Sequence, residues 1–165
     1  MKLGENAKPQ GSIIIALSFI LALVLTIMPL PELIEPFRPA WVPMVLIYWS
    51  MALPNRIGVA LGWLVGLFLD VATGALLGQN ALALALLAFL TLQLHQRIRV
   101  YPLGQQALSV LMLIALYQIL VVWVRGIIGH PPESWLYWMQ SLTSMLFWPV
   151  VFVVLRGVRR QYKVN

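Results

Sequence analysis

The stretch GVALGWLVGLFLDVATGALLG, residues 58–78, decides the fold because it sets one carboxylate among regularly spaced glycines in an apolar sequence. Glycine or aspartate recurs at every fourth position, namely Gly58, Gly62, Gly66, Asp70, Gly74 and Gly78. On an α-helix, residues four apart lie on one face, so this spacing predicts a slanting surface with almost no side chains, here called the glycine ribbon. Small residues of this kind let a second helix approach closely within lipid.

The carboxylate of Asp70 indicates which way the ribbon faces. Turning a charged side chain toward lipid costs about 3 kcal/mol or more, so we expect Asp70 to point toward other helices. Two interpretations follow. Either Asp70 pins helices of the same chain together, or it takes part in binding another protein or a ligand.

The composition of the chain predicts an integral membrane protein. Hydrophobic residues make up 61% of the 165 residues, charged residues make up only 10%, and the mean hydropathy is +0.89. These values lie outside the usual range of soluble domains. At about 20 residues per crossing, the length predicts a single all-α membrane domain, a bundle of six transmembrane helices. The predicted spans are residues 13–30, 37–53, 57–76, 80–95, 103–124 and 135–155, followed by a basic tail at 156–165.

Three of these spans carry further expectations. The first apolar run is longer than a signal-peptide core and lacks a cleavage site of small residues, so we expect it to remain as an anchor. The apolar part of the second span covers only residues 41–53, so it must extend back into residues 36–40 or be shielded by neighbouring helices. The turn after the third span is expected near residues 77–80. An earlier helix end would leave irregular backbone after Asp70, which needs cover by protein or water.

The basic residues predict the orientation of the bundle. With the amino terminus in the cytoplasm, nine of the eleven lysines and arginines fall on the cytoplasmic side: Lys2, Lys8, Arg56, Arg97, Arg99, Arg156, Arg159, Arg160 and Lys163. Only Arg38 and Arg125 fall on the outer side. This bias follows the positive-inside rule and places both termini in the cytoplasm. It also explains the net charge of +6 without nucleic acid. The basic tail then contacts anionic lipid, with a cytoskeletal partner as the alternative.

The residue types needed for catalysis are not gathered at one depth of the predicted bundle. The chain has no cysteine, and His95 and His130 fall on opposite sides of a membrane about 30 Å thick, too far apart to share a metal ion. Asp70 is the only acid within the predicted spans, so paired acid–base chemistry is excluded. We therefore predict no catalytic residue, no metal site and no cofactor. Transport, with Asp70 taking a proton or contacting a cationic solute, remains the alternative.

Several short motifs, in fixed order, resemble those of the MreD family of rod shape-determining proteins from the bacterial inner membrane. They are F-R-P-x-W at 37–41, Y-W-x-x-A-L-P at 48–54, G-x-x-x-G-L-x-x-D at 62–70, L-G at 77–78, W-P at 148–149 and L-R-x-x-R at 155–159. Each motif is short, but their order and spacing cover most of the chain.

The resemblance implies a non-enzymatic, multi-pass subunit of the machinery that elongates the cell by peptidoglycan synthesis. Such a subunit binds the bitopic protein MreC and acts beside MreB, RodA and a class B penicillin-binding protein. The glycine ribbon would then pack against its own bundle and a partner's transmembrane segment. The resemblance also implies a fold similar to the substrate-binding subunits of energy-coupling-factor vitamin transporters. Small-solute binding or transport is therefore the alternative function.

Overall fold

The computed structural model describes residues 9–132 and 134–164, and the regular structure in these ranges is helical. For these described residues, the prediction of an all-α fold with six α-helices is confirmed. Two short 3-10 helices, Glu35–Phe37 and Trp135–Trp138, precede the second and the sixth α-helix. The α-helices are α1 (Pro9–Ile27), α2 (Trp41–Ala52), α3 (Val59–Thr73), α4 (Gln79–Val100), α5 (Leu103–Ile128) and α6 (Met139–Gln161).

Contacts between distant parts of the chain define the two ends of the bundle. At one end, Gly11 lies beside Arg56 and Val164. At the other end, the Arg38 guanidinium donates a hydrogen bond to the carbonyl of Thr26, and the two 3-10 helices pack together. We name the first the basic end and the second the far end. The described residues predicted to lie on the cytoplasmic side gather at the basic end, whereas Lys2 and Lys8 lie outside the described residues. These basic-end residues are Arg56, Arg97, Arg99, Arg156, Arg159, Arg160 and Lys163.

The short helix α2 forms the centre of the bundle. Every side chain from Val42 to Met51 is buried, because α1, α4, α5 and α6 pack around this helix. Twelve residues span about 18 Å, well short of a hydrocarbon layer of about 30 Å. Of the two expectations for this segment, the structure shows shielding by neighbouring helices. Residues 38–40 do not extend α2, because Pro36 and Pro39 each lack an N–H donor and restrict the residue before them.

Within the part of the chain that the structure describes, three helical segments are long and apolar enough to cross a membrane: Gln79–Val100, Leu103–Ile128 and Trp135–Gln161. Shorter apolar helices cover Gly11–Ile27 and Val59–Thr73. The three long segments indicate a membrane protein. That all six helices cross the bilayer within a single domain, with both termini in the cytoplasm, stays a prediction.

The end of α3 corrects the prediction of one continuous glycine ribbon. The helix ends at Thr73, and Gly74 follows it with a φ of 69°. Gly78, which immediately precedes α4, has a φ of 100°. Both values lie in the left-handed region, which strains residues that carry a Cβ atom. The assignment of Gly74 and Gly78 to a helical contact face is therefore wrong, since these glycines make the turn between α3 and α4. The earlier helix end, with irregular backbone after Asp70, is the arrangement found.

Candidate functional site

Two glycines of the ribbon, Gly62 and Gly66, pack against α4 of the same chain. A Cβ atom added to Gly62 would lie 2.9 Å from the carbonyl oxygen of Leu84, and one added to Gly66 would lie 2.3 Å from the Cα atom of Ala81. At Gly58, by contrast, an added Cβ atom would meet nothing within 4 Å. The close approach that small residues permit is thus used within the chain, so this part of α3 is not available to a partner.

The carboxylate of Asp70 is fully buried and caps the amino terminus of α4. Its Oδ1 atom accepts hydrogen bonds from the backbone N–H of Asn80 at 2.8 Å and from the Asn80 side-chain amide at 2.9 Å. Its Oδ2 atom accepts from the backbone N–H of Gly78 at 2.9 Å and of Ala81 at 3.4 Å. The N-cap residue of α4, Gly78, has no side chain that could cap the helix. Asp70 of the neighbouring helix α3 supplies the capping group instead. The negative charge also meets the positive end of the α4 dipole.

A third helix joins this arrangement through Asn80. The hydroxyl group of buried Tyr117 donates a hydrogen bond to the Oδ1 atom of Asn80, which links α5 to the junction of α3 and α4. Four donors around one carboxylate offset much of the cost of burying it. This geometry supports the interpretation in which Asp70 pins helices of its own chain together. Asn80 and Tyr117 could not be predicted as partners in this network, because no regular spacing in the sequence relates them to Asp70.

A polar cleft of about 430 Å³ adjoins this junction at the far end of the bundle. Asn80 and Tyr117 line it together with Arg125, His130 and Tyr137. These side chains come from α4, from α5 and its end, and from the second 3-10 helix, so only the fold brings them together. The cleft offers a cation, an imidazole and two phenols to a small polar molecule. Further lining residues include Thr73, Gln79 and Gln140.

Gln118 lies fully buried near the same cleft with an incompletely satisfied amide. Its Nε2 atom donates to the carbonyl of Tyr137 at 2.8 Å and to the Oε1 atom of Gln140 at 3.2 Å. Its own Oε1 atom has no hydrogen-bond partner within the part of the chain that the structure describes. Buried acceptors are usually satisfied, so a water or solute donor would stabilise this site.

An apolar groove of about 500 Å³ runs between α1 and α3. Phe19 and Ile20 line it from α1, and Leu64 and Phe68 line it from α3. Ile20, Leu64 and Phe68 are each about half exposed, at 54%, 46% and 58%. Within residues 9–132 and 134–164 no segment fills this groove, so in a membrane it faces lipid or another protein.

The two histidines lie at opposite ends of the bundle. His95 lies near the basic end, on α4, and His130 lies at the far end. In the described ranges, no group of three His, Cys, Asp or Glu side chains is arranged to hold a metal ion. The absence of a cofactor or catalytic residue therefore stays a prediction.

Known proteins similar to this chain belong to the family that the sequence motifs resemble. The family model described as rod shape-determining protein MreD matches residues 8–158. The rod shape-determining protein MreD of Haemophilus influenzae is 30% identical over 147 residues, which cover 89% of this chain and 91% of that protein. No solved structure matches the chain. The likeness to vitamin-transporter subunits thus has no structural match to support it.

Proposed function

The chain belongs to the MreD family of rod shape-determining proteins, and on this premise we propose that it is a non-enzymatic scaffold subunit of the complex that elongates the cell wall. A role in cell shape follows from the family. The finer assignment is our proposal: the protein binds MreC directly and works in one complex with MreB, RodA and a class B penicillin-binding protein. It sits in the bacterial inner membrane, crosses it several times and keeps both termini in the cytoplasm.

The apolar groove between α1 and α3 supports the proposal that a partner helix binds there. Asp70, Gly62 and Gly66 are engaged within the chain, so a partner needs a different surface. The groove supplies one, with exposed Leu64 and Phe68 on a face that the bundle leaves open. The flanking helix α3 has 15 residues and is shorter than a full membrane crossing. An added transmembrane helix would shield its ends, as α1 and α4–α6 shield the short helix α2.

We therefore place the single transmembrane segment of MreC in this groove. Truncating Leu64 and Phe68 together to alanine removes apolar contact from the groove and should lower co-purification with MreC at least about fivefold. The matched control truncates Leu146 and Val153, which are 72% and 60% exposed on α6 and do not line the groove. The control should bind MreC as the wild type does. Wild-type recovery of MreC with the groove variant, at unchanged thermal stability, would refute this placement.

The polar cleft favours a second candidate function, the binding of a small polar solute. Its volume of about 430 Å³ lies in the range of small-molecule sites, and Arg125, His130 and Tyr137 supply the polar contacts that orient a ligand. Equilibrium binding of water-soluble vitamins to the purified protein tests this function directly. Saturable binding that Arg125→Gln abolishes would support it. Absence of saturable binding would leave the scaffold function as the better proposal.

A further inference from the structure

A cleft of about 240 Å³ opens at the basic end between α2, α4, α5 and α6. Arg99 from α4 lines it together with Arg156 and Arg159 from α6, so three guanidinium groups share a small volume. An adjoining recess of about 470 Å³ shares Arg156 and Arg159 and adds Arg160 and Lys163. The fold thus brings together cations that lie more than fifty residues apart in the chain.

The described chain does not neutralise this charge. The acids within residues 9–132 and 134–164 are Glu32, Glu35 and Asp70, and none of them forms an ion pair with the five cations. Glu32 and Glu35 lie in the connection between α1 and α2 at the far end, and Asp70 is engaged in capping α4. Like charges that line one cleft repel one another, so the cleft favours an anion from outside the described chain.

Part of the lining of this cleft is apolar. Met51 and Ala52 line it at the end of α2, and Phe152 lines it from α6. The guanidinium carbon of Arg156 lies 5.9 Å from the centre of the Phe152 ring, which orients this cation beside an apolar surface. A ligand that fits here therefore combines a negatively charged group with a hydrocarbon portion.

We propose that this cleft binds the phosphoryl headgroup of an anionic phospholipid. Arg99, Arg156 and Arg159 bind the phosphoryl oxygens, and an acyl chain extends out of the cleft past Phe152. The planar guanidinium group matches phosphate oxygens with paired hydrogen bonds, and basic pockets between transmembrane helices are known lipid headgroup sites. The positive-inside rule requires only that charges flank a span, whereas here arginines from two helices line one cleft. This inference does not depend on MreC binding.

Native mass spectrometry of the delipidated protein with added phosphatidylglycerol tests the proposal. We expect saturable binding of one lipid with priority over further ones. Arg99→Gln should raise its Kd about fivefold, whereas Arg97→Gln should change it less than twofold. Both arginines lie in the last turn of α4, but only Arg99 lines the cleft. Equal losses for the two variants would show a diffuse surface field and would overturn the assignment.

Two further ligands test whether the cleft recognises the negative charge and the acyl chain of the lipid. Phosphatidylcholine carries no net charge, and glycerol 3-phosphate has no acyl chain, so each should bind at least tenfold more weakly than phosphatidylglycerol. Phosphatidylcholine binding of equal strength would overturn charge recognition. Glycerol 3-phosphate binding of equal strength would overturn the lipid assignment in favour of a soluble phosphate compound. Arg159→Lys keeps the charge but loses the paired geometry, and it should weaken binding measurably while a topology reporter stays unchanged.

Discussion

Replacing Asp70 by leucine tests whether its carboxylate holds the junction of α3 and α4 together. The substitution removes all four accepted hydrogen bonds and leaves the backbone N–H groups of Gly78, Asn80 and Ala81 without their acceptor. Each buried donor left unsatisfied costs about 1–3 kcal/mol, and loss of a helix cap costs about 1 kcal/mol. Water from the adjoining polar cleft would recover part of this cost. We expect the free energy of unfolding to fall by about 3 kcal/mol.

Asp70→Asn removes the charge and keeps only part of the hydrogen bonding. The amide oxygen can still accept from Asn80, but the amide NH₂ group cannot accept from Gly78 and Ala81. The expected loss is about 1.5 kcal/mol, half of that for leucine. Wild type, Asn variant and Leu variant should therefore unfold in that order of decreasing stability.

Unfolding of the purified protein in mixed micelles, titrated with sodium dodecyl sulfate and followed by circular dichroism, measures these differences. Thr91→Val is the matched control, because Thr91 is also fully buried but bonds only the Leu87 carbonyl of its own helix, at 2.7 Å. It should cost less than about 1 kcal/mol. A Leu variant as stable as the wild type would refute the structural role of Asp70. If such a variant also lost rod shape in cells, the carboxylate would instead serve a partner or a ligand.

Three further substitutions test the packing around this junction. Gly66→Ala pushes a Cβ atom into the backbone of α4 and should lower the free energy of unfolding by at least about 2 kcal/mol. Gly58→Ala, with open space around it, should lower it by less than about 1 kcal/mol. Equal effects of the two substitutions would contradict the close packing of Gly66 on α4. Gly74→Ala forces a side chain into the left-handed region and should lower the midpoint of thermal unfolding, whereas Gly104→Ala, at the start of α5, should keep or raise it. Tyr117→Phe should cost about 1 kcal/mol in the same titration, and no measurable loss would remove α5 from the network.

The sequence predicts the class of fold because hydropathy and helix length are properties of single segments. It also predicts the basic end, since orientation depends on which loops carry arginine. It fails at the glycine ribbon for a physical reason. Gly62 and Gly66 are small because α4 approaches them closely, whereas Gly74 and Gly78 are glycine because their backbone is left-handed. A spacing of four residues is the same in both cases, so the pattern alone does not separate a helix face from a turn.

The polar cleft and the arginine-lined cleft at the basic end could not be predicted from sequence, because each combines side chains from several helices. Tyr117 lies 37 residues after Asn80, and Arg156 lies further still from Arg99, so no local pattern relates them. The burial of α2 was likewise one of two possibilities, because a short apolar run is compatible with either a longer span or a shielded helix. Only the packing of the other helices around it decides between the two.

The two faces of α3 make the proposed partner contact separable from the stability of the bundle. Successive residues advance by about 100° around a helix, so Leu64 and Phe68 lie nearly opposite Gly66. One face of α3 packs on α4, and the other lines the groove toward α1. A change at Gly66 should therefore lower stability and reduce MreC binding only as a consequence. A change at Phe68 should reduce MreC binding with the unfolding midpoint intact, because truncating this exposed side chain leaves no cavity in the core. Loss of binding in strict proportion to loss of stability at both positions would show that the groove is not a partner site.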